Sequence, residues 1–268
     1  MNDRIDEGRL TANEPPPSTK INPEGKSPFV LVGDHAGNRV PSRLASLGLG
    51  TADLQRHIAW DIGVGALGTG LAAALDAVFI RQVYSRLVID CNRTTAASDC
   101  IAEISDGTPV PGNQQLDNVA RAARIAEIYD PYHHAIESEL IRRDALGLET
   151  ILVALHSFTP RMNGFDRPWH VGILHDGGDT AYAQAVLRAF GTGPHVIGDN
   201  EPYRMDDTDY TIPRHAYAAG RRYVELEVRQ DLLGKAAQVA EMTALIATNL
   251  RAAARERGAT TPGRLTPR

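Results

Sequence analysis

Two histidines in this 268-residue chain lie where apolar segments predicted to be β-strands end. His35 follows FVLVG (29–33), and His156 lies near the end of TILVALHS (150–157). Because ligands of open α/β sheets bind beyond the carboxyl ends of the strands, we expect the two side chains to face one region. Imidazole nitrogens and a carboxylate together bind Zn²⁺, and a catalytic zinc leaves one position to water. The pair therefore predicts a shared metal site, whereas either histidine alone favours a structural role.

The third metal ligand is predicted from a separate segment of the chain. Asp61 lies in HIAWDIG (57–63), immediately before a helix predicted over 63–77. Its carboxylate suits a zinc ion, but it also suits the N-cap of that helix, where an aspartate accepts hydrogen bonds from free backbone N–H groups. The residues alone leave both roles open.

Two carboxylates lie in the last predicted strand, RRYVELEV (221–228). Period-two alternation places the valines and Leu226 on one face of this strand, and Glu225, Glu227 and Arg229 on the other. The charged face fits a carboxylate aimed into a cleft, with Arg229 as a candidate substrate contact. It also fits an edge strand whose Glu–Arg pairs are solvated.

Two arginines and an asparagine form a further candidate group. The segment RLVID, also predicted to be a strand, begins with Arg86 and runs into Asn92 and Arg93. Guanidinium groups bind carboxylates in a fork geometry, but an arginine beside a strand often pairs with a neighbouring carboxylate, here Asp90. His215, in IPRHAYAAG, is a candidate substrate contact, with a structural role as the alternative.

Strand and helix signals alternate along the chain. The predicted strands are 29–33, 78–83, 86–90, 150–157, 170–174, 195–199 and 221–228, and the predicted helices are 63–77, 117–128, 131–143, 181–190 and 232–256. This alternation predicts a single α/β domain over 27–256, a three-layer sandwich whose mixed, mostly parallel sheet carries helices on both faces. Residues 1–26 and 257–268 lack hydrophobic periodicity, so we predict a flexible N-terminal arm and a flexible C-terminal tail.

Composition excludes several classes of protein. A formal net charge of -5, 43% hydrophobic and 23% charged residues are typical of a globular domain rather than a collagen, a coiled coil or a disordered chain. A pI near 6.0 argues against a dedicated nucleic-acid-binding protein. No segment approaches the roughly 18 consecutive apolar residues of a membrane span. The two cysteines and the absence of a signal-peptide pattern predict a cytoplasmic protein.

Five segments, in the same order along the chain, resemble the N-formylglutamate amidohydrolase family. They are GDHAGNRVP (33–41), HIAWDIG (57–63), YSRLVIDCNR (84–93), LHSFTP (155–160) and VELEVRQDLL (224–233). The family is related in architecture to zinc carboxypeptidases and to aspartoacylase-like deacylases. The resemblance therefore implies a zinc-carboxypeptidase-like fold.

The resemblance also implies roles for the candidate ligands and base. It implies one Zn²⁺ held by His35, Asp61 and His156. It selects Glu227 over Glu225 as the catalytic base, because Glu227-Val228-Arg229 matches the spacing of the carboxypeptidase strand. Carboxypeptidases carry a metal-binding glutamate three residues after the first histidine, where this chain has Asn38. The carboxylate ligand must then come from elsewhere, and Asp61 is the candidate.

The activity implied by the resemblance is hydrolysis of the amide bond of an N-acyl amino acid. The expected acyl group is formyl, as in N-formylglutamate, and the products would be formate and the free amino acid. In this reaction Arg86 would stabilise the oxyanion, and Asn92 with Arg93 would bind a substrate carboxylate. The expected partner is this small molecule, with no nucleic acid and no membrane. A related zinc deacylase, carboxypeptidase or peptidoglycan amidase, or a metal-free binding protein on the same fold, is the alternative.

Overall fold

The computed structural model describes residues 10–11, 13–191 and 193–258. In chain order, the strands of this part of the chain are β1 (Ser18–Ile21), β2 (Phe29–Gly33), β3 (Val78–Gln82), β4 (Ile104–Ser105), β5 (Thr108–Pro109), β6 (Ile151–Phe158), β7 (Arg161–Met162), β8 (Phe165–Asp166), β9 (Val171–Leu174), β10 (Ile197–Asp199) and β11 (Arg222–Arg229). The α-helices are α1 (Thr51–Leu54), α2 (Val64–Leu75), α3 (Asn118–Arg124), α4 (Asp130–Ala145), α5 (Ala181–Phe190) and α6 (Ala236–Glu256). Short 3₁₀ helices cover Ser42–Gly48, Pro111–Asn113 and Gln230–Leu232, and π-helical turns cover Ile125–Tyr129 and Pro213–Tyr217.

A seven-stranded sheet with the order β1-β3-β2-β6-β11-β9-β10 forms the centre of the domain. The four strands from β3 to β11 run parallel, while β1 and β9 are antiparallel to their inner neighbours. Every residue of β2 and β6 is buried, because helices cover both faces of the sheet. Such strands have continuous apolar sequences rather than an alternating pattern. The predicted mixed, mostly parallel sheet is confirmed.

Helical layers cover the two faces of the sheet. Helices α2, α5 and α6 pack on one face, where buried side chains such as Leu71, Val186 and Ile246 share a core with β2, β6 and β11. Helix α4 packs on the opposite face through residues that include Tyr132 and Ile136. The predicted three-layer α/β domain is therefore confirmed. Within the described residues, no helix combines the length and the apolar character needed to cross a membrane.

The segment 86–90 is not a strand, although the sequence predicts one. The amide of Leu87 donates a hydrogen bond to Ser85 Oγ (3.1 Å), and the amide of Val88 donates to the Ser85 carbonyl oxygen (2.9 Å). Ser85 Oγ in turn donates to the carbonyl oxygen of Ala59 (2.7 Å). A serine hydroxyl that bonds to nearby backbone competes with a strand ladder and favours a turn. The apolar side chains of this turn are buried, and their run in the sequence is what suggests a strand.

The N-terminal boundary also differs from the prediction. Residues 18–21, which the sequence places in a flexible arm, form β1 and pair with β3. The sequence of β1, STKI, lacks the apolar run that marks the central strands. An edge strand such as β1 can leave one face partly exposed, so it can have polar side chains. Residues 1–9 and 259–268 lie outside the described residues, so flexibility of the two ends stays a prediction. The two helices predicted over 117–143 are continuous, joined by the π-helical turn before α4.

Candidate active site

The carboxyl ends of β2, β6 and β11 bring the predicted site residues to one edge of the sheet. In the parallel pairing of β6 with β11, His156 lies opposite Glu227, and Ala154 lies opposite Glu225. His35 follows β2, the other neighbour of β6. These histidines and glutamates line a cavity of about 650 Å³. The sheet topology thus places two histidines and two carboxylates around the same space.

Three of the lining residues form a compact group of side chains of the types that ligate metals, and this group could hold a metal ion. His35, Asp61 and His156 are all buried and offer ligand atoms that lie within 4.8 Å of one another. Asp61 Oδ2 is 3.0 Å from His156 Nδ1 and 3.4 Å from His35 Nδ1, and the two imidazole ring centres are 5.0 Å apart. The three side chains belong to separate segments, and only the fold brings them together.

Asp61 is not the N-cap of α2. The N-cap is Gly63, and no side chain caps this end of the helix. The backbone carbonyl of Asp61 accepts the Val64 amide, and its carboxylate is left to face the two imidazoles. Asn38, which occupies the position of the carboxypeptidase glutamate, instead donates its side-chain amide to the Leu54 carbonyl oxygen. The structure therefore favours Asp61 as the carboxylate of this group.

Each imidazole has a second carboxylate on its far side. His35 Nε2 is 2.7 Å from Asp90 Oδ1, and His156 Nε2 is 3.5 Å from Asp34 Oδ2. Asp90 also accepts hydrogen bonds from Arg86, so it is an ionised acceptor and His35 Nε2 carries the proton. A neutral His35 then has its free electron pair on Nδ1, the nitrogen beside Asp61. Carboxylates that hold the outer nitrogen of a ligating histidine are typical of protein metal sites.

The charges of this group also suit a divalent cation. Burial and the Arg86 charge oppose protonation of His35, but Asp90 and Asp61 still raise its pKa. Burial likewise opposes protonation of His156, and Asp34 and Asp61 raise its pKa well above the usual value. Among the described residues, His35 Nδ1, the nitrogen beside Asp61, is buried without a hydrogen-bond partner. A buried ring nitrogen with a free electron pair, next to a carboxylate and a second imidazole, fits a metal ion.

Arg86 lies against both aspartates of the group. Its Nη2 is 2.7 Å from Asp90 Oδ2, and its Nη1 is 3.4 Å from Asp61 Oδ1. The side chain keeps 28% of its surface exposed and lines the cavity. Arg86 therefore forms ion pairs, which is the structural role considered from the sequence. It also presents a cation to the cavity, which is what the resemblance implies for an oxyanion-stabilising arginine.

Asn92 and Arg93 also line the cavity, but internal contacts engage both. Asn92 Oδ1 accepts the amides of Tyr210 (3.1 Å) and Thr211 (3.0 Å). Arg93 Nε donates to Asp99 (2.9 Å), and its Nη1 is 3.5 Å from Asp209. The Asn92 side chain thus fixes the segment around Tyr210 rather than standing free for a substrate.

Two predicted substrate contacts lie elsewhere. His215 is 6% exposed, and its Nε2 lies 3.1 Å from Nδ1 of the buried His133. Arg229 ends β11 and pairs with Asp231 (2.8 Å) just beyond the strand. Neither is among the described residues that line the cavity. Their chain positions suggested proximity, but the packing turns both side chains away.

Glu225 and Glu227 are buried carboxylates of β11 that line the same cavity as His35, Asp61 and His156, with exposures of 3% and 7%. Burial raises the pKa of Glu225 to about 7 and raises the pKa of Glu227 well above its usual value. Their placement on the charged face of β11 agrees with the alternation predicted from the sequence. A buried carboxyl group with a raised pKa suits proton transfer near neutral pH.

The sequence analysis did not identify three residues at or near the cavity, which are Asp34, Arg204 and Asp206. Asp34, which contacts His156, immediately precedes His35 at the end of β2, and its place at a strand end was a signal that could have identified it. Arg204 and Asp206 line the cavity from a segment without regular periodicity between β10 and the second π-helical turn. No local pattern marks such residues, because only the path of the chain brings them to the cavity.

Comparisons with known proteins give the family of the chain and agree with its fold. The chain belongs to the N-formylglutamate amidohydrolase family, whose sequence profile matches residues 27–234. It is similar to the gene product Atu2144 from Agrobacterium tumefaciens, with 31% identity, a TM-score of 0.90 and coverage of 93% of this chain and 99% of that one. It also shares its fold with N-formylglutamate amidohydrolase from Ralstonia eutropha JMP134, with 19% identity, a TM-score of 0.65 and coverage of 90% and 99%. No curated protein matches the chain. The protein is thus an amidohydrolase by family.

Proposed function

We propose that this protein is a metal-dependent amidohydrolase that cleaves the amide bond of N-acyl amino acids. The acyl group is formyl, so that the products are formate and the free amino acid, and N-formylglutamate is the substrate that gives the family its name. The observation that carries the proposal is the buried group of His35, Asp61 and His156 across from Glu227 in one cavity. Amide hydrolysis needs a nucleophile, a proton carrier and oxyanion stabilisation, and these residues match those needs.

In this proposal, the metal site and the base Glu227 both contribute to activating the attacking water. A divalent ion, zinc in our proposal, would be held by His35, Asp61 and His156, and it would supply Lewis acidity and lower the pKa of water at the site towards neutrality. Glu227 takes the proton from the attacking water and delivers it to the leaving amine. Its position supports this role, because Glu227 pairs with His156 across the β6–β11 ladder and lines the same cavity.

Two arginines serve the substrate in this proposal. Arg86 donates N–H groups to the oxygen that becomes negatively charged as the amide carbon turns tetrahedral, and one such donor typically contributes about 2.7–4 kcal/mol to lowering the barrier. Arg93 binds the substrate carboxylate, with Asn92 holding the neighbouring loop in place. We do not assign substrate contacts to Arg229 and His215, because the structure places both outside the cavity lining.

Release of formate from a panel of N-formyl amino acids tests this function. We expect the purified protein to hold one zinc per chain by elemental analysis and to release formate in the presence of zinc. A chelator should abolish formate release, and added zinc should restore it. Zinc-loaded protein that releases no formate from any member of the panel would contradict the proposal. Cleavage confined to N-acetyl substrates would redirect it to an aspartoacylase-like deacylase.

A further inference from the structure

A tyrosine that the proposed mechanism does not use lies in the wall of the same cavity. Tyr203 lines the cavity together with Arg86 and Glu227, and 39% of its surface is exposed. It belongs to the segment between β10 and the second π-helical turn. A phenol hydroxyl can both donate and accept a hydrogen bond. Such a group in a reaction cavity is a candidate contact for the reacting atoms of a substrate.

Two glycines allow the segment before Tyr203 to lie against the cavity face of the sheet. Gly172 of β9 pairs with Glu227 of β11 on one side and with Gly198 of β10 on the other. A Cβ atom at Gly172 would lie 2.1 Å from the carbonyl oxygen of Glu201 and 3.3 Å from the Cβ of Glu227. A Cβ atom at Gly198 would lie 2.5 Å from the same carbonyl oxygen. Because only residues without a side chain permit this approach, the backbone at Glu201 lies beside Glu227, and Tyr203 follows two residues later.

Arg167 holds both the ring and the hydroxyl of Tyr203. Its guanidinium carbon lies 4.8 Å from the centre of the Tyr203 ring, and its Nη1 donates a hydrogen bond to the Tyr203 hydroxyl oxygen at 2.9 Å. The same carbon lies 5.7 Å from the centre of the Phe158 ring at the end of β6. The carbonyl oxygen of Arg167 accepts a hydrogen bond from Arg229 at the end of β11. Arg167 thus connects Tyr203 to the two strands that carry a predicted metal ligand and the proposed base.

These contacts leave the Tyr203 hydroxyl as a hydrogen-bond donor. An arginine has no acceptor, so the phenol oxygen accepts in this bond and its own hydrogen is available for another partner. Burial raises the pKa of Tyr203, and the Glu227 and Asp61 carboxylates act in the same direction against the charge of Arg167. The hydroxyl therefore keeps its proton at neutral pH. The bond from the guanidinium group polarises the hydroxyl and strengthens it as a donor.

We propose that the Tyr203 hydroxyl donates a hydrogen bond to the oxygen that becomes negatively charged when water attacks the substrate amide, and that Arg167 positions this hydroxyl. The inference rests on the proposed function and adds a second donor to Arg86 for the same oxygen. Arg86 reaches the cavity from the turn after β3, whereas Tyr203 reaches it from the segment that crosses β9. A donor aimed at this oxygen stabilises the transition state more than the bound substrate.

Tyr203→Phe keeps the ring and removes only the hydroxyl. We expect kcat for formate release to fall at least about 30-fold, with KM within about 3-fold and the zinc content unchanged, because the lost bond forms only in the transition state. The measurement uses the N-formyl amino acid that the zinc-loaded protein cleaves fastest. Tyr217→Phe is the control, since Tyr217 packs on Tyr223 and is not among the described residues that line the cavity. A kcat within about 3-fold of the wild-type value would overturn the inference, and so would a change confined to KM.

Arg167→Gln tests the positioning role. We expect this change alone to lower kcat about 5- to 10-fold, because the hydroxyl is no longer held and polarised. In the Tyr203→Phe background the same change should alter kcat by less than about 2-fold, since the group that Arg167 positions is already absent. Effects that multiply in the double variant would show that Arg167 does not act through the hydroxyl.

Binding of a tetrahedral analogue separates this inference from the proposed function. N-(methylphosphonyl)-L-glutamate carries on its phosphorus the negative oxygens that the amide carbon carries only in the transition state. In calorimetry on zinc-loaded protein, Tyr203→Phe should bind this compound at least about 10-fold more weakly than the wild type does, while the affinity for L-glutamate changes by less than about 2-fold. That difference in a protein that releases no formate from any N-formyl amino acid would sink the proposed function and leave the Tyr203 contact standing. Equal affinities of the two proteins for the analogue would overturn the contact.

Discussion

At the residue scale, the positions of the carboxylates decide how the two imidazoles behave. Asp61 lies between His35 and His156, while Asp90 and Asp34 face the outer nitrogens of the two rings. Asp34 is itself fixed, because its Oδ1 accepts the Thr211 hydroxyl at 2.8 Å. Burial alone would raise the pKa of Asp34, but the contacts with His156, His35 and Thr211 lower it to about 2. Each ring is thus oriented by an ionised group.

Asp34→Asn tests the orienting role of these aspartates. The substitution keeps the shape of the side chain and removes the charge beside His156, so we expect zinc affinity to fall about 10-fold or more. Competition with a chromophoric chelator measures this affinity without reference to activity. Asp199→Asn is the matched control, because Asp199 faces His175 in a partly exposed pair away from the cavity. Equal affinities of the two variants would contradict the prediction.

Glu227→Gln tests the assignment of the base. Glutamine has almost the same shape but cannot take a proton from water, so we expect kcat to fall at least about 100-fold while the zinc content stays near one per chain. Formate release and elemental analysis on the same preparation check both parts. Near wild-type turnover on a competent substrate would show that Glu227 is not the base.

At the element scale, the alternation of side chains along β11 gives this strand one face that packs in the core and one face that lines the cavity. Val224, Leu226 and Val228 are fully buried in the core shared with α5 and α6. The intervening side chains Glu225 and Glu227 face the cavity. Because β11 is hydrogen-bonded to strands on both sides, the carboxylates sit on backbone held rigidly in the middle of the sheet. A one-residue slip of register would exchange the two faces, so the packing face fixes the position of the carboxylates.

The loop after β2 holds His35 through a close backbone contact at Gly37. A Cβ atom at this position would lie 2.1 Å from the carbonyl oxygen of Val83, which is backbone and cannot easily move away. We therefore expect Gly37→Ala to lower the free energy of unfolding by about 1–3 kcal/mol and to weaken zinc binding by displacing the loop.

Urea denaturation of the zinc-free protein measures the first part of this prediction. Gly234→Ala serves as the control, because the nearest atom to its added Cβ would be 3.7 Å away, an ordinary contact distance. That variant should be neutral or slightly more stable, since alanine restricts the unfolded chain. Similar stabilities of the two alanine variants would count against the role of Gly37.

At the scale of the whole molecule, a pair of buried histidines connects α4 with the second π-helical turn and with the segment at Cys91. His133 Nε2 donates to the Cys91 carbonyl oxygen at 3.0 Å, which leaves its Nδ1 to accept a hydrogen bond from His215 Nε2 at 3.1 Å. This arrangement requires a neutral His133, because its Nδ1 accepts a hydrogen bond while its Nε2 donates one. Burial is the main cause that lowers the pKa of His133 to about 4 and the pKa of His215 to about 3. Packing of α4 against the second π-helical turn therefore depends on pH.

The pair predicts a loss of stability in mild acid. Both folded pKa values lie below the usual histidine value of about 6.5, so the unfolded chain takes up more protons as the pH falls. Their contribution to the free energy of unfolding is fully present above about pH 6.5 and declines towards about pH 4. His215→Gln should make the slope between about pH 6.5 and 4.5 shallower by about 1 kcal/mol per pH unit, as measured by urea denaturation across that range. His134→Gln, at an exposed neighbour on α4, should leave the slope unchanged, and the same change in both variants would contradict the prediction.

The sequence by itself determined the central strands and the residues at their ends. The runs FVLVG and TILVAL predicted these strands and placed His35 and His156 at their ends, because buried parallel strands have continuous apolar sequences. Alternation in VELEV placed Glu225 and Glu227 on one face, because side chains alternate with a period of two. Periodicity of this kind depends on near neighbours in the chain, so it is visible in the order of residues alone.

Only the tertiary structure decided which of the possible partners each side chain has. Asp61 suited both an N-cap and a metal site, and the structure gives the N-cap to Gly63 and brings His156, 95 positions away, to the Asp61 carboxylate. His215 and Arg229 suited the cavity by position but pack elsewhere, and RLVID became a turn because Ser85 bonds to its own neighbourhood. Hydrogen bonds such as that of Thr211 to Asp34 span 177 positions. Contacts at such separations depend on how whole elements pack, which no local pattern encodes.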